Sequence, residues 1–209
     1  MKIVAISDTH GLHHQIKIPE GDLLIHTGDV SDRGEPAEIE DFLEWFSSQP
    51  HQYKVFIAGN HDFYFEKYSP EVITAKIPNN ITYLYESGCT IEGIKIWGSP
   101  FSPIPYRRWA FNRERGADIQ PHWDKIPENL DILLVHGPAY GILDKTTRDQ
   151  HVGCENLKET LKIKQPKLFI FGHIHEARGE AFFEDIHCIN ASSVDRYRKQ
   201  LFEPFVFEF

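Results

Sequence analysis

Residues 3–10 read Ile3-Val4-Ala5-Ile6-Ser7-Asp8-Thr9-His10, an apolar run that passes straight into an acid and an imidazole. Four apolar residues in a row are too few for a helix and leave no polar face. They predict a strand buried on both sides, as in the parallel sheet of an α/β protein. The same arrangement recurs along the chain, where short runs at 23–27, 55–58, 131–135 and 168–171 also read as buried strands. The second runs into Gly28-Asp29, the third into Gly59-Asn60-His61-Asp62, the fourth into His136-Gly137 and the fifth into Gly172-His173-Ile174-His175. Ligands of open α/β sheets bind beyond the carboxyl ends of the strands, so these five loops are expected to converge on one place. The glycines beside four of them let the backbone turn sharply and approach a ligand closely.

Helical spacing fills the gaps between these strands. In 35–48, Ile39, Phe42, Leu43 and Phe46 share a face, with Pro36 near the start and Pro50 beyond the end. Ser69 is placed to cap a helix opened by Pro70 and Glu71, and a third helix runs from Glu155 to about Lys162. Residues 81–98 read as strands joined at Gly88 and Gly93. The stretch 181–209 alternates, with Phe205, Phe207 and Phe209 on one face, and both segments suggest antiparallel additions. Residues 99–127, rich in Pro, Arg and Trp, are too long for an ordinary connector and read as a functional or substrate-covering loop. No repeat or linker divides the 209 residues, so one domain over 1–209 is expected.

Composition removes several function classes. With 22 basic and 31 acidic side chains the net charge is -9, which argues against an extended nucleic-acid partner, because such binding needs many Lys and Arg on phosphates. The three cysteines, Cys89, Cys154 and Cys188, form no Cys-x-x-Cys pair and suggest neither a disulfide framework nor a thiolate zinc site. No apolar run is long enough for a signal peptide or a membrane span, and a reducing, cytoplasmic setting is the expectation. The oligomeric state is left open.

The residues at the strand ends suggest two metal ions. Asp8, His10, Asp29, Asn60, His136, His173 and His175 form a mixed oxygen and nitrogen set suited to divalent Mn, Fe or Zn, and seven ligands exceed what one such ion needs. Two ions about 3.5 to 4 Å apart would clamp the attacking and leaving oxygens of an in-line displacement. Asp29, with two oxygens able to bridge, is the choice for the shared ligand, and a neutral amide at Asn60 preserves the surplus positive charge that would bind a phosphate group. Singly, each residue has an ordinary explanation as turn chemistry or a solvated side chain. His13, His14, His26, His51, His122, His151 and His187 are read in that way, as structural or solvated. Five strand ends carrying these residue types together point instead to a shared site.

In order, the Asp-x-His at 8–10, the Gly-Asp at 28–29, the Gly-Asn-His-Asp at 59–62, the His-Gly at 136–137 and the Gly-His-x-His at 172–175 resemble the signature of the calcineurin-like metallophosphoesterases. The wider context, Asp8 to His13, Ala58 to Phe63 and His136-Gly137-Pro138, is similar to the small, brain-type branch of metallophosphoesterase-domain proteins. The resemblance implies a four-layer α/β/β/α sandwich, two mixed sheets flanked by helices. It also implies that Asp8, His10, Asp29 and His175 hold one metal while Asp29, Asn60, His136 and His173 hold the other. His61 would then donate a proton to the leaving alkoxide as a metal-bound hydroxide attacks phosphorus, with Asp62 orienting His61 and raising its pKa.

Arg33, Arg107, Arg108 and Arg113 are candidates for contacts to phosphate oxygens, and Trp97, Phe101, Trp109 and Phe111 for stacking on a flat group such as a nucleobase. The branch resembled implies a small phosphodiester substrate such as a cyclic nucleotide. A phosphomonoesterase would use the same centre with a more basic pocket, a nuclease would need a basic groove, and a metal-stabilised binding module would lack turnover.

Overall fold

A computed structural model describes residues 1–104 and 109–209. Its strands, in chain order, are β1 (Lys2–Ile6), β2 (Leu23–His26), β3 (Tyr53–Phe56), β4 (Thr82–Tyr83), β5 (Ser87–Ile91), β6 (Ile94–Ser99), β7 (Ser102–Pro103), β8 (Asn112–Arg113), β9 (Ile132–Val135), β10 (Leu168–Phe171), β11 (Gly179–Phe183), β12 (Ile186–Asn190) and β13 (Phe205–Glu208). One sheet has the order β13-β1-β2-β3-β4 and the other β11-β12-β10-β9-β6-β5. The helices are α1 (Pro36–Ser48), α2 (Phe63–Lys67), α3 (Pro70–Lys76), α4 (Gln120–Asp124) and α5 (Glu155–Lys164).

Period-two alternation explains why the five apolar runs are buried on both faces. Ile3, Ala5, Leu23, Ile25, Val55 and Ile57 of the first sheet pack with Ile96, Ile132, Leu134, Leu168, Ile170 and Ile189 of the second. Their neighbours Val4, Ile6, Leu24, Phe56, Leu133, Val135, Phe169 and Phe171 belong to a second cluster with Phe42 and Phe46 of α1 and Leu157 and Leu161 of α5. The result is the expected pair of mixed sheets flanked by helices. The sheets are tied together at the carboxyl ends of β1 and β12, where Ser193 N–H donates to the Ser7 carbonyl at 2.8 Å.

The helix boundaries follow local chemistry. Pro36 opens α1, and the Glu38 carboxylate folds back to accept the N–H groups of Asp32, Arg33 and Glu35. Gln49, which precedes Pro50, is extended and stops the helix. Ser69 occupies the position before α3, but its side chain makes no capping bond to the helix. The α5 helix runs to Lys164, two residues beyond the expected end, and closes on Gln165 in the left-handed region.

The later strands bear out the sequence reading in part. Only β5 with β6, β11 with β12 and β13 with β1 are antiparallel, whereas β4 with β3, β6 with β9 and β12 with β10 are parallel. Alternation reports which face is buried, and strand direction depends on the partner. Gly93 does make the β5–β6 turn, together with Glu92 at positive φ, as a two-residue hairpin demands. Gly88 instead lies inside β5 opposite Trp97, where a Cβ would sit 3.3 Å from the indole. Residues 99–127 contain β7, β8 and α4 and are less irregular than expected.

Phe42 is fully buried, with its ring 5.2 Å from Phe46 and 5.4 Å from Phe56. Phe42→Ala should lower the unfolding free energy by about 3–5 kcal/mol in a urea titration.

Candidate metal centre

The loops after the five expected strands do converge. Asp8, His10 and His175 form one group of side chains able to hold an ion, and Asp29, His136 and His173 form another. Asn60 joins the second through its Oδ1, 2.9 Å from His136 Nε2. Asp29 stands between the two groups: its Oδ2 lies 3.7 Å from His10 Nε2 and its Oδ1 lies 3.4 Å from His136 Nε2.

This convergence is built on strained backbone. Asp8, His10, Asp29 and His173 all have positive φ, between 46° and 70°, a region that non-glycine residues rarely adopt. Tertiary hydrogen bonds hold them there: Asp8 N–H donates to Gly28 O at 2.9 Å, His10 N–H to Asp29 O at 3.0 Å, and His173 N–H to the Asp8 carboxylate. The motif glycines supply space. A Cβ at Gly59 would stand 2.3 Å from Asp29 Oδ1, and one at Gly172 would stand 2.0 Å from Asp8 Oδ2.

The imidazoles are oriented from behind. His175 Nδ1 donates to Val194 O at 2.9 Å and His136 Nδ1 to Thr27 O at 3.0 Å, which turns each Nε2 toward the cluster. His10 Nδ1 lies 3.3 Å from Ser31 O, and its Nε2 faces that of His175 at 3.3 Å. Burial pushes the His10 imidazole down to about 3 and that of His173 to about 4, so both are neutral near pH 7. Burial alone would raise the Asp29 carboxyl, but His136 and His61 beside it hold it well below the usual carboxylate range. Two buried carboxylates, four imidazoles and a carboxamide oxygen thus turn toward a common space; burial alone would lower the His136 imidazole, but Asp29 beside it raises it to about 9, and a metal ion would take the place of that proton. That donor set fits divalent metal ions.

His61 stands at the edge of both groups. Its main-chain N–H donates to Asp29 Oδ1 at 2.8 Å, and its ring meets His10 edge-on at 4.6 Å and stacks on Trp109 at 4.4 Å. Trp109 is therefore the aromatic candidate that reaches the centre. Phe101 and Phe111 are buried in the core, and Trp97 packs against it.

Asp62 does not orient His61. Its carboxylate accepts the N–H groups of Gly59, Val30 and Ser31 and the Ser31 hydroxyl, so it knits the 28–31 loop to the 59–62 loop. The neighbour in sequence faces away from the imidazole because the backbone turns between them. The group facing His61 is Asp32, whose carbonyl accepts from His61 Nδ1 at 2.6 Å and whose Oδ1 is 3.8 Å away. Asp32 follows Asp29 in the same loop, so proximity in sequence was an available signal.

The arginine candidates fare differently. The Arg33 side chain is 82% exposed beside Asp32 and is not brought into the centre. Arg113 lies over the Phe101 ring at 4.7 Å, and Arg107 and Arg108 fall outside the described residues. Among the described residues, the arginine that does arrive is Arg198, which donates to Asp32 Oδ1 and approaches His10 Nδ1 at 3.3 Å. Nothing in its spacing marks it. It is 188 residues from His10 and comes in through the turn that follows β12.

Residues 1–177 match the calcineurin-like phosphoesterase family, and the chain belongs to it. It is 39% identical over 91% of its length to the human and mouse proteins named metallophosphoesterase domain-containing protein 1, and it spans 65% of their length. A Synechococcus protein named as a probable cyclic nucleotide phosphodiesterase is 28% identical over 75% of this chain and 58% of its own. The crystal structure of TT1561 from Thermus thermophilus shares the fold at a TM-score of 0.63, covering 99% of this chain and 98% of that one at 14% identity.

His26 is a buried structural residue under the centre. Its Nδ1 accepts the Gly28 N–H at 3.2 Å, which places the proton on Nε2, 3.0 Å from Thr9 Oγ1. Burial pushes its pKa from 6.5 down to about 3. Protonation therefore favours the unfolded chain, and the stability this residue supplies should decline as pH falls from about 6.5 toward 3. Thermal unfolding across that range should show a shallower pH dependence in His26→Gln. At the centre itself, Gly172→Ala should displace Asp8 and weaken metal binding by about 10–100-fold in isothermal titration.

Proposed function

We propose that the chain hydrolyses a small phosphodiester, with a cyclic nucleotide as the leading substrate class. The observation that carries this reading is the position of Asp29, with one carboxylate oxygen toward each group of imidazoles. Asp8, His10, Asp29 and His175 would hold one divalent ion, and Asp29, Asn60, His136 and His173 the other, with Mn, Fe or Zn suited to these donors. When bound, the ions supply Lewis acidity, drawing charge from the phosphoryl oxygens and lowering the pKa of water.

The protein's own contribution centres on His61. With Nδ1–H on the Asp32 carbonyl, the imidazolium form of His61 would present Nε2–H to the leaving alkoxide and revert to the neutral ring on giving up that proton, and His10 and Trp109 fix the ring on two sides. Arg198 braces Asp32 and so the strand-end loop that bears on His61. Its guanidinium is engaged by this contact. Among the described residues the arginine at the centre is already committed, which suits the single charge of a diester better than the double charge of a monoester. The name of the Synechococcus relative supports the same substrate class.

Manganese-loaded protein should hydrolyse bis(p-nitrophenyl) phosphate and a cyclic nucleotide faster than p-nitrophenyl phosphate. A monoester preference would favour the phosphatase reading, and no turnover with metal bound would favour a binding module. His61→Ala should keep both ions and lose about 10²–10⁴ in kcat; loss of an ion on elemental analysis would contradict the proton-donor role. Asp29→Ala should deplete both sites, and retention of two tightly bound ions would sink the bridging assignment.

A further inference from the structure

A cavity of about 430 Å³ lies outside the metal centre, with no residue of that centre in its walls. Aromatic side chains dominate its walls: Phe65 and Tyr68 at α2, Tyr83 from β4, Tyr85, and Phe111. Its two charged groups, Glu66 and Arg113, face each other at 3.9 Å and largely cancel. The Tyr83 hydroxyl is buried and has no hydrogen-bond partner among the described residues. From this geometry we infer a binding site for an uncharged, planar ring compound of nucleoside size, which acts as an effector of the metal centre.

The volume falls within the range of small-ligand pockets, and flat aromatic walls favour a flat ligand. A self-neutralised ion pair gives no net attraction to an anion, which separates this cavity from a phosphate site.

The coupling to the centre is built into two of the segments that form the walls. Phe63, at the start of α2, packs against Trp109 at 5.9 Å, while Phe65, Glu66 and Tyr68 line the cavity. The segment from Trp109 to Arg113 does the same from the other side. Trp109 stacks on His61, Ala110 N–H donates to Asn60 O at 3.2 Å, Phe111 N–H donates to Glu66 Oε1 at 3.0 Å, and Phe111 and Arg113 face the cavity. Phe111 is held at a φ of 55°, so this short segment has little freedom to absorb a displacement locally. A ligand that spreads the walls would shift Trp109 on His61.

The test uses adenosine as the probe on the metal-loaded protein, read by amide chemical shifts. Saturable shifts are expected at Phe65, Tyr83 and Phe111. Thr74→Trp, on the exposed side of α3 and lining the cavity, should weaken binding by about tenfold or more while leaving basal hydrolysis of bis(p-nitrophenyl) phosphate unchanged. Ser87→Trp fills the cavity from another wall and should do the same if the first variant does not fold. In the parent protein, saturating adenosine should change the turnover of that diester by about twofold or more, and the filled variant should not respond. Shifts confined to the residues around Asp29 and His136, or none up to about 1 mM, would overturn the site. Equal binding by the filled variants would do so as well. Saturable binding without any change in turnover would overturn the effector role. The binding arm does not depend on the diesterase reading, so failure of one leaves the other standing.

Discussion

Asp8 and Asp29 have almost no contact with solvent, and both are held as carboxylates in the middle of the fold. Burying one such charge costs several kcal/mol unless it is compensated, and two a short distance apart repel each other as well. The surrounding structure is organised around that cost. Asp8 receives the His173 N–H and the Ser192 hydroxyl, Asp29 receives the His61 N–H, and imidazoles face both. Fixed donors on one side and imidazole nitrogens on the other enclose a volume whose donor set suits divalent cations. In a family of metal-dependent phosphoesterases, the same unfavourable burial that would destabilise an empty site becomes affinity for the ions.

The backbone is shaped by the same demand. A carboxylate can be enclosed only if the chain turns abruptly at the end of its strand, and the positive φ values at Asp8, His10, Asp29 and His173 are the consequence. Glycines 59 and 172 then clear the space into which the carboxylates project. Strain at four neighbouring residues persists because two packed sheets over-determine the positions of the strand ends. Rigidity at the centre is therefore a product of the core, where Ile3, Ile25, Ile132 and Ile170 interlock between the sheets.

Asp62 and Asp32 show how two acidic residues near one histidine divide the work. Asp62 is sealed among backbone N–H groups and holds two loops in register, which is an architectural task. Asp32 is partly exposed, contacts His61 and is braced by Arg198. Burial raises the Asp62 carboxyl to about 6, whereas Asp32 is lowered, because the desolvation it feels is outweighed by Arg198. Distance along the chain ranks the two in the opposite order from their contacts with the imidazole.

Much of this protein was legible in the order of its residues. Short apolar runs that end in Asp, Asn or His determine both where the buried strands lie and which side chains reach their carboxyl ends, because strand periodicity and the convergence of parallel strand ends are local and topological rules. The seven clustered side chains were all readable on that basis. What only the tertiary structure decided are the contacts between segments distant in sequence. Arg198 rather than Arg33 enters the centre, Asp32 rather than Asp62 faces His61, and Trp109 alone of four aromatic candidates stacks there. Strand direction in 81–98 and 181–209 belongs to the same class. Side-chain type and spacing are properties of a segment, whereas the direction in which a side chain points depends on the backbone turn beneath it and on the surface packed against it.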